Sequence, residues 1–313
     1  VAGALEKNNP ILVVENLRKD FGSITALGGI DILLEEPGVY GFLGPNGAGK
    51  TTTFKLICAL LRPTAGRILV DGVDVHTDTR KAVGKLGILF DATGYYPYLT
   101  GRENLQAVAC WLGTVPPGAI GDLLSLVGLG DAADRRVSGY SWGMKQRLGM
   151  AAALLSDPRL VLLDEPTNGL DPAGIADVRR MLPRMAYDQG RTVFLSSHRM
   201  EEVEQVCDHV TIIHKGEIVA SGRPDELASE RRWIEIDCGS ATQAEGILKR
   251  IDGIQSVERT GGNRIRILTG AITAGRINQM LIEGGIGVER VVERRESLEE
   301  TFFRLTGEGE NET

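Results

Sequence analysis

The sequence predicts an α/β fold in which a mixed, mostly parallel sheet is covered by helices, interrupted by a helical insertion and followed by a small α+β module. Three features point that way. Short apolar runs bounded by turn residues alternate with longer helix-like stretches up to about residue 228, and strands joined through helices pair in parallel. One strand-to-helix junction, residues 44–51, carries the glycine-rich run Gly-Pro-Asn-Gly-Ala-Gly-Lys-Thr. Beyond residue 228 the order changes to β-α-β-β-α-β.

Residues 11–15 and 25–34 read as strands, and Glu36-Pro37-Gly38 as the turn into a third at 39–43. The glycine-rich run comes next, and residues 52–57 continue as a helix. In that strand-before, helix-after context the run is a phosphate loop. Gly44, Pro45, Asn46, Gly47, Ala48 and Gly49 form a backbone curl whose N–H groups surround a β-phosphate. Lys50 is placed to neutralise β- and γ-oxygens, Thr51 to offer its hydroxyl to Mg²⁺, and Thr52 lies in the helix's first turn, where an anion is favoured.

Residues 66–72 form a further strand closed by an Asp-Gly turn, and about 100–155 is mostly helical in pattern. The apolar run 160–163 then ends in Asp164-Glu165. An aspartate at a strand end beside a phosphate loop holds Mg²⁺ through water or Thr51, and the next carboxylate polarises an attacking water. Phosphate loop and acidic strand together predict a phosphate-loop (P-loop) nucleoside triphosphatase. A helix at 175–187, a strand at 192–196 and a hairpin of 210–213 with 217–220 around Lys215-Gly216 complete this part.

In the C-terminal part, strands at 233–238, 254–259, 264–268 and 288–292 alternate with helices at 241–251 and 272–283. That order is the split βαβ arrangement of a ferredoxin-like module, with a last helix at 297–305 expected to dock on it. Its role is open between dimer-stabilising packing and regulation. The expected domains are residues 10–228, with the helical insertion at about 92–155, then residues 232–306 and a disordered tail at 307–313.

Composition narrows the function classes. With 42 Asp+Glu against 35 Lys+Arg the chain is acidic, which argues against nucleic-acid binding through net charge. Cys58, Cys110, Cys207 and Cys238 are scattered without a C-x-x-C pair, as expected in a reducing cytosol. The longest apolar candidate, 107–129, is broken by Pro116-Pro117 and Asp122, too soon for a membrane span. Residues 1–10 lack the basic start and apolar run of a secretory signal.

Beyond the phosphate loop and acidic strand, the first 225 residues carry three more ordered elements. Val137-Ser138-Gly139-Tyr140-Ser141-Trp142-Gly143-Met144-Lys145-Gln146-Arg147 resembles the signature loop of ATP-binding cassette (ABC) ATPases, Asn168-Gly169-Leu170-Asp171 their D-loop, and His198 their switch histidine. The variants at 86–91, 97–105 and 140–147, with the C-terminal segment around 297–302, look most like the bacitracin- and drug-export branch. The resemblance implies two cassettes, identical or different, facing head to tail around two ATP molecules. In that picture Glu165 is the general base, His198 holds the γ-phosphate or the water, and Lys50 serves the reaction as well as binding. Ser141 and the Gly143 backbone cap the γ-phosphate of ATP on the partner, and Phe21 stacks on adenine. It further implies a cytoplasmic ATPase subunit on the inner face of the membrane, held there by a separate permease and exporting a drug, peptide antibiotic or lipid-like compound, with no nucleic acid as partner.

The chain departs from the family pattern at Trp142, in place of a glycine, at Met144, in place of a glutamine, and at Asp91, where a glutamine is expected after the strand at 86–90. Asp91 reads equally as a Mg²⁺ neighbour or as a loop acid, and as a carboxylate it donates no hydrogen bond. Tyr95, Tyr96, Tyr98 and Trp111 read as a permease-docking surface or as local core. Gly139-Tyr140-Ser141-Trp142-Gly143 fits the G-x-S-x-G nucleophile elbow, but the charged run 130–136 before it is no strand. The rival reading is a soluble ABC-type ATPase acting on a ribosome, DNA or a protein assembly; such chains usually carry paired cassettes or long coiled coils, and neither is present in this sequence.

Overall fold

The computed structural model describes residues 9–90, 94–113, 115–227, 232–269 and 272–306. The chain divides into two compact units, Val1–Gly222 and Arg223–Thr313.

The first unit opens with antiparallel β1 (Leu12–Phe21) and β2 (Ile24–Leu34), followed by β3 (Gly38–Leu43) and α1 (Lys50–Ile57). β4 (Ala65–Val70), β5 (Val73–Asp74), α2 (Thr79–Val83) and β6 (Leu86–Leu89) come next. The insertion is built from α3 (Gly101–Leu112), α4 (Ala119–Leu126) and α5 (Trp142–Leu154). β7 (Leu160–Asp164), α6 (Pro172–Pro183), β8 (Thr192–Ser197), α7 (Met200–Glu204), β9 (His209–His214) and β10 (Glu217–Gly222) finish the unit. A four-stranded sheet runs β2-β1-β4-β5, and a six-stranded sheet runs β10-β9-β3-β8-β7-β6. In the larger sheet only the β9–β10 hairpin is antiparallel.

β7 and β8 are buried along their whole lengths, which is why both read as unbroken apolar or small-residue runs instead of alternating ones. Phe42 of β3, Phe54 of α1 and Phe194 of β8 pack together with ring centroids 5.1–6.4 Å apart. Burying each such ring stabilises the fold by roughly 1.5–3 kcal/mol. α3 starts with a reciprocal capping box, in which Thr100 Oγ1 accepts from the Glu103 amide at 3.1 Å and Glu103 accepts from the Thr100 amide at 2.8 Å. α5 has no clean apolar stripe, and it is buried on several faces, from Gln146 to Leu154. α6 begins with Pro172 behind the cap Asp171, whose carboxylate accepts from the Gly174 amide at 2.9 Å, and ends in a π-helical turn at Arg184–Asp188.

β3 lies between β8 and β9, and β8 lies between β3 and β7. The parallel register pairs Leu43 with Ser197 and Asp164 with Ser196. The loop after β3, the acidic end of β7 and the residues after β8 therefore gather at one carboxyl edge, where open α/β sheets bind ligands.

The second unit starts with the short helix α8 (Pro224–Leu227), followed by β11 (Arg232–Cys238), α9 (Ala241–Leu248), β12 (Ile254–Gly261), β13 (Arg264–Thr269), α10 (Ala274–Glu283), β14 (Val288–Arg295) and α11 (Leu298–Thr306). Its antiparallel sheet is ordered β12-β13-β11-β14, the ferredoxin-like arrangement. Ile234, Ile236, Ile265 and Ile267 on one face pack against Ala244, Leu248, Ile277 and Leu281 of the helices. α11 is tied to the sheet by an Arg266–Glu300 ion pair, and the Arg266 guanidinium lies 4.1 Å from the Trp233 ring.

Candidate active site

The phosphate loop turns back on the sheet so tightly that two of its glycines admit no other residue. A Cβ on Gly44 would stand 2.2 Å from the Ile213 carbonyl oxygen. Gly49 sits at φ +113°, and a Cβ there would meet Leu27 at 2.8 Å. The Gly44 amide donates to the Ser197 carbonyl at 3.3 Å, and the Ala48 carbonyl accepts from the Gly216 amide at 3.0 Å. No side chain caps α1, and its first turn holds no acidic residue, which leaves the amides of Lys50, Thr51 and Thr52 to an anion. Pro45 is part-buried, whereas Asn46 and Gly47 are exposed at the loop's tip.

Lys50 is 5% exposed, and its ammonium donates to the carbonyls of Gly44 at 2.7 Å and Pro45 at 3.1 Å. It also stands 3.4 Å from Glu165 Oε1. Thr51 Oγ1 donates to Asp164 Oδ1 at 3.3 Å. Asp164, 4% exposed, accepts a second hydrogen bond from Ser196 Oγ at 2.6 Å. The same Ser196 hydroxyl accepts from the Glu165 amide at 2.9 Å, so one serine fixes both acids. Glu165 Oε2 lies 2.9 Å from His198 Nδ1. With Glu165 ionised, Nδ1 carries the hydrogen of that bond and Nε2 is left for another partner.

These distances bring Lys50, Thr51, Asp164, Glu165 and His198 into one constellation. Among the described residues no group of three or more His, Cys, Asp or Glu side chains has metal-cage geometry. The hydroxyl of Thr51 beside the carboxylate of Asp164 is nevertheless a hard-oxygen pair, and Mg²⁺ is ordinarily held by only one or two protein oxygens plus substrate phosphates. The donor set fits that ion. Asp91 lies outside the described residues.

Phe21 ends β1, 46% exposed as a residue, with the Lys19 ammonium 4.9 Å from its ring centroid. Ser141 is the N-cap of α5 and accepts from the Met144 amide at 3.3 Å; among the described residues it makes no hydrogen bond to the phosphate loop. Gly143, two residues further, faces Leu170, whose Cδ2 a Cβ there would meet at 3.4 Å. Ser196 belongs to none of the sequence motifs. The signal for it is the strand end Ser196-Ser197, because two hydroxyls in a strand buried throughout need partners.

The ABC transporter family model matches residues 27–168. The bacitracin transport ATP-binding protein BcrA of Bacillus licheniformis is 36% identical over 300 residues, covering 96% of this chain and 98% of that protein. The daunorubicin resistance ATP-binding protein DrrA3 of Streptomyces coeruleorubidus is 35% identical over 310 residues, covering 95% and 96%. The lantibiotic transport ATP-binding protein SrtF of Streptococcus pyogenes is 38% identical over 209 residues, covering 67% and 89%. Among solved structures, cbiO1 of Clostridium perfringens, part of the ABC transporter complex cbiONQ, superposes with a TM-score of 0.64 at 28% identity, covering 70% of this chain and 90% of that one.

Proposed function

This chain belongs to the ABC transporter family as an ATP-hydrolysing, ATP-binding subunit, and we propose that it powers export of a drug, peptide antibiotic or lipid-like compound through a separate membrane permease. Relatives named for bacitracin transport, daunorubicin resistance and lantibiotic transport support the cargo class. No described helix is long and apolar enough to cross a membrane, which fits a subunit held at the inner face of the membrane by its permease.

The observation that carries the mechanism is the meeting of Lys50, the Thr51–Asp164 pair and the Glu165–His198 pair at one sheet edge. Lys50 and the loop amides hold the β- and γ-phosphates. Thr51 and Asp164 would hold Mg²⁺, which when bound neutralises charge on the phosphate oxygens. Glu165 accepts the proton of the attacking water, and His198 orients Glu165 and bonds the γ-phosphate. Ser141 and Gly143 cap ATP bound by a second cassette, identical or different, and Phe21 stacks on adenine.

Tagged Glu165→Gln chain, purified with MgATP from detergent-solubilised native membranes, tests the reading. A polytopic membrane protein recovered at stoichiometry supports the transporter assignment. Recovery of the chain alone, or with ribosomal or DNA-associated proteins, overturns it.

A further inference from the structure

Trp142 opens α5 where the family pattern has a glycine, and its side chain is spent on the loop that follows Glu165. The indole Nε1 donates to the Asn168 carbonyl at 3.0 Å. The ring also lies against Gly169: a Cβ there would sit 3.1 Å from Trp142 Nε1, and φ is +71°. The Asn168 amide in turn donates to the Glu165 carbonyl at 3.0 Å. Two successive hydrogen bonds thus run from Trp142 through Asn168 to the backbone of Glu165.

That backbone needs holding. Glu165 is in the left-handed region at φ 49°, a conformation that side-chain-bearing residues adopt only when their surroundings enforce it. Ser196 fixes its amide and His198 and Lys50 its carboxylate, so the Asn168 turn is what remains to fix its carbonyl.

We propose that Trp142 is a positioning residue for Glu165, acting through Asn168; the inference rests on the assignment of Glu165 as the base. It recasts the departure at 142 as a tether that replaces backbone freedom with a fixed link between the start of α5 and the hydrolytic edge of the same chain.

A double-mutant cycle tests it, with the full chain and its permease in detergent or liposomes, from ATP turnover and single-turnover hydrolysis of labelled ATP. Trp142→Phe keeps a ring and loses the donor. Loss of one neutral hydrogen bond predicts a fall in kcat of about three- to tenfold, with MgATP affinity unchanged. If Trp142 acts through Glu165, the substitution lowers the residual rate of Glu165→Gln no further. Wild-type turnover by Trp142→Phe, a changed MgATP affinity with unchanged kcat, or an equal fold-loss in both backgrounds overturns the proposal. Wild-type turnover by Glu165→Gln alone would instead remove the base assignment on which it stands.

Discussion

Glu165 shows how much of this site is decided by single side chains. Its carboxylate is shared between Lys50 at 3.4 Å and His198 at 2.9 Å, and its amide rests on the hydroxyl that also holds Asp164. Glu165→Gln keeps the size and removes the proton acceptor, so turnover should fall by about 10²- to 10⁴-fold, the usual span of general-base catalysis, while MgATP binding by titration calorimetry persists. Ser196→Ala should leave Asp164 short of a donor and reduce both affinity and rate. Two buried thiols give the first unit a pH dependence of its own. Burial, then the nearby Asp164 charge, pushes the Cys58 thiol up to about 12, and burial raises Cys207 as well. A thiol whose pKa is higher folded than unfolded favours the folded state fully below its ordinary value near 9. That contribution is lost as pH rises from there towards 12, by on the order of 1 kcal/mol per thiol at pH 10. The urea midpoint should therefore drop between pH 8 and pH 10, and drop less in Cys58→Ala. At neutral pH only exposed Cys110 should react quickly with a thiol reagent, the other three reacting after unfolding. Rapid reaction of more than one thiol in the folded chain would contradict the burial.

At the scale of elements, the helical insertion depends on its entry. Thr100 and Glu103 satisfy each other's backbone donors at the start of α3, and Asn104 just inside adds bonds to the Thr100 and Tyr96 carbonyls. Thr100→Ala should cost about 1 kcal/mol, a thermal midpoint roughly 2–4 °C lower for a unit of this size. An unchanged midpoint would mean that packing alone holds α3. The sequence made this level of organisation readable for a physical reason: caps, turns and strand runs are local, so the phosphate loop, the run 160–163 and the hairpin around Lys215-Gly216 fall where the structure has them. What stayed hidden is non-local. The pairing of Asp164 with Ser196 across parallel strands, and the reach of Trp142 from the start of α5 to Asn168 in the turn after β7, depend on which elements become neighbours. The bulk at 142 reads from the sequence only as a lost glycine. Nor does periodicity show that helix 175–187 gives way after Pro183 to a π-helical turn, since the apolar spacing continues through it.

At the scale of the whole molecule, each of the two units carries its own core. Phe42, Phe54 and Phe194 anchor the first, and the isoleucines of β11 and β13 anchor the second beneath α9 and α10. Every hydrogen bond and ion pair described at the phosphate loop, the acidic strand end and His198 belongs to the first unit. A chain ending at Gly222 should therefore keep its MgATP affinity within about twofold of the full chain by titration calorimetry, because no phosphate-holding group is removed. The complementary piece, residues 223–313, has a four-stranded antiparallel sheet with α9 and α10 packed on one face, and a sheet of three or more strands packed against helices can be stable by itself. It should show a cooperative thermal transition and dispersed amide resonances. If the truncated first unit lost nucleotide binding while remaining folded, the second unit would have to contribute to the site. If residues 223–313 stayed unfolded alone, their core would depend on the cassette, and the module would be an extension of it instead of a separable domain.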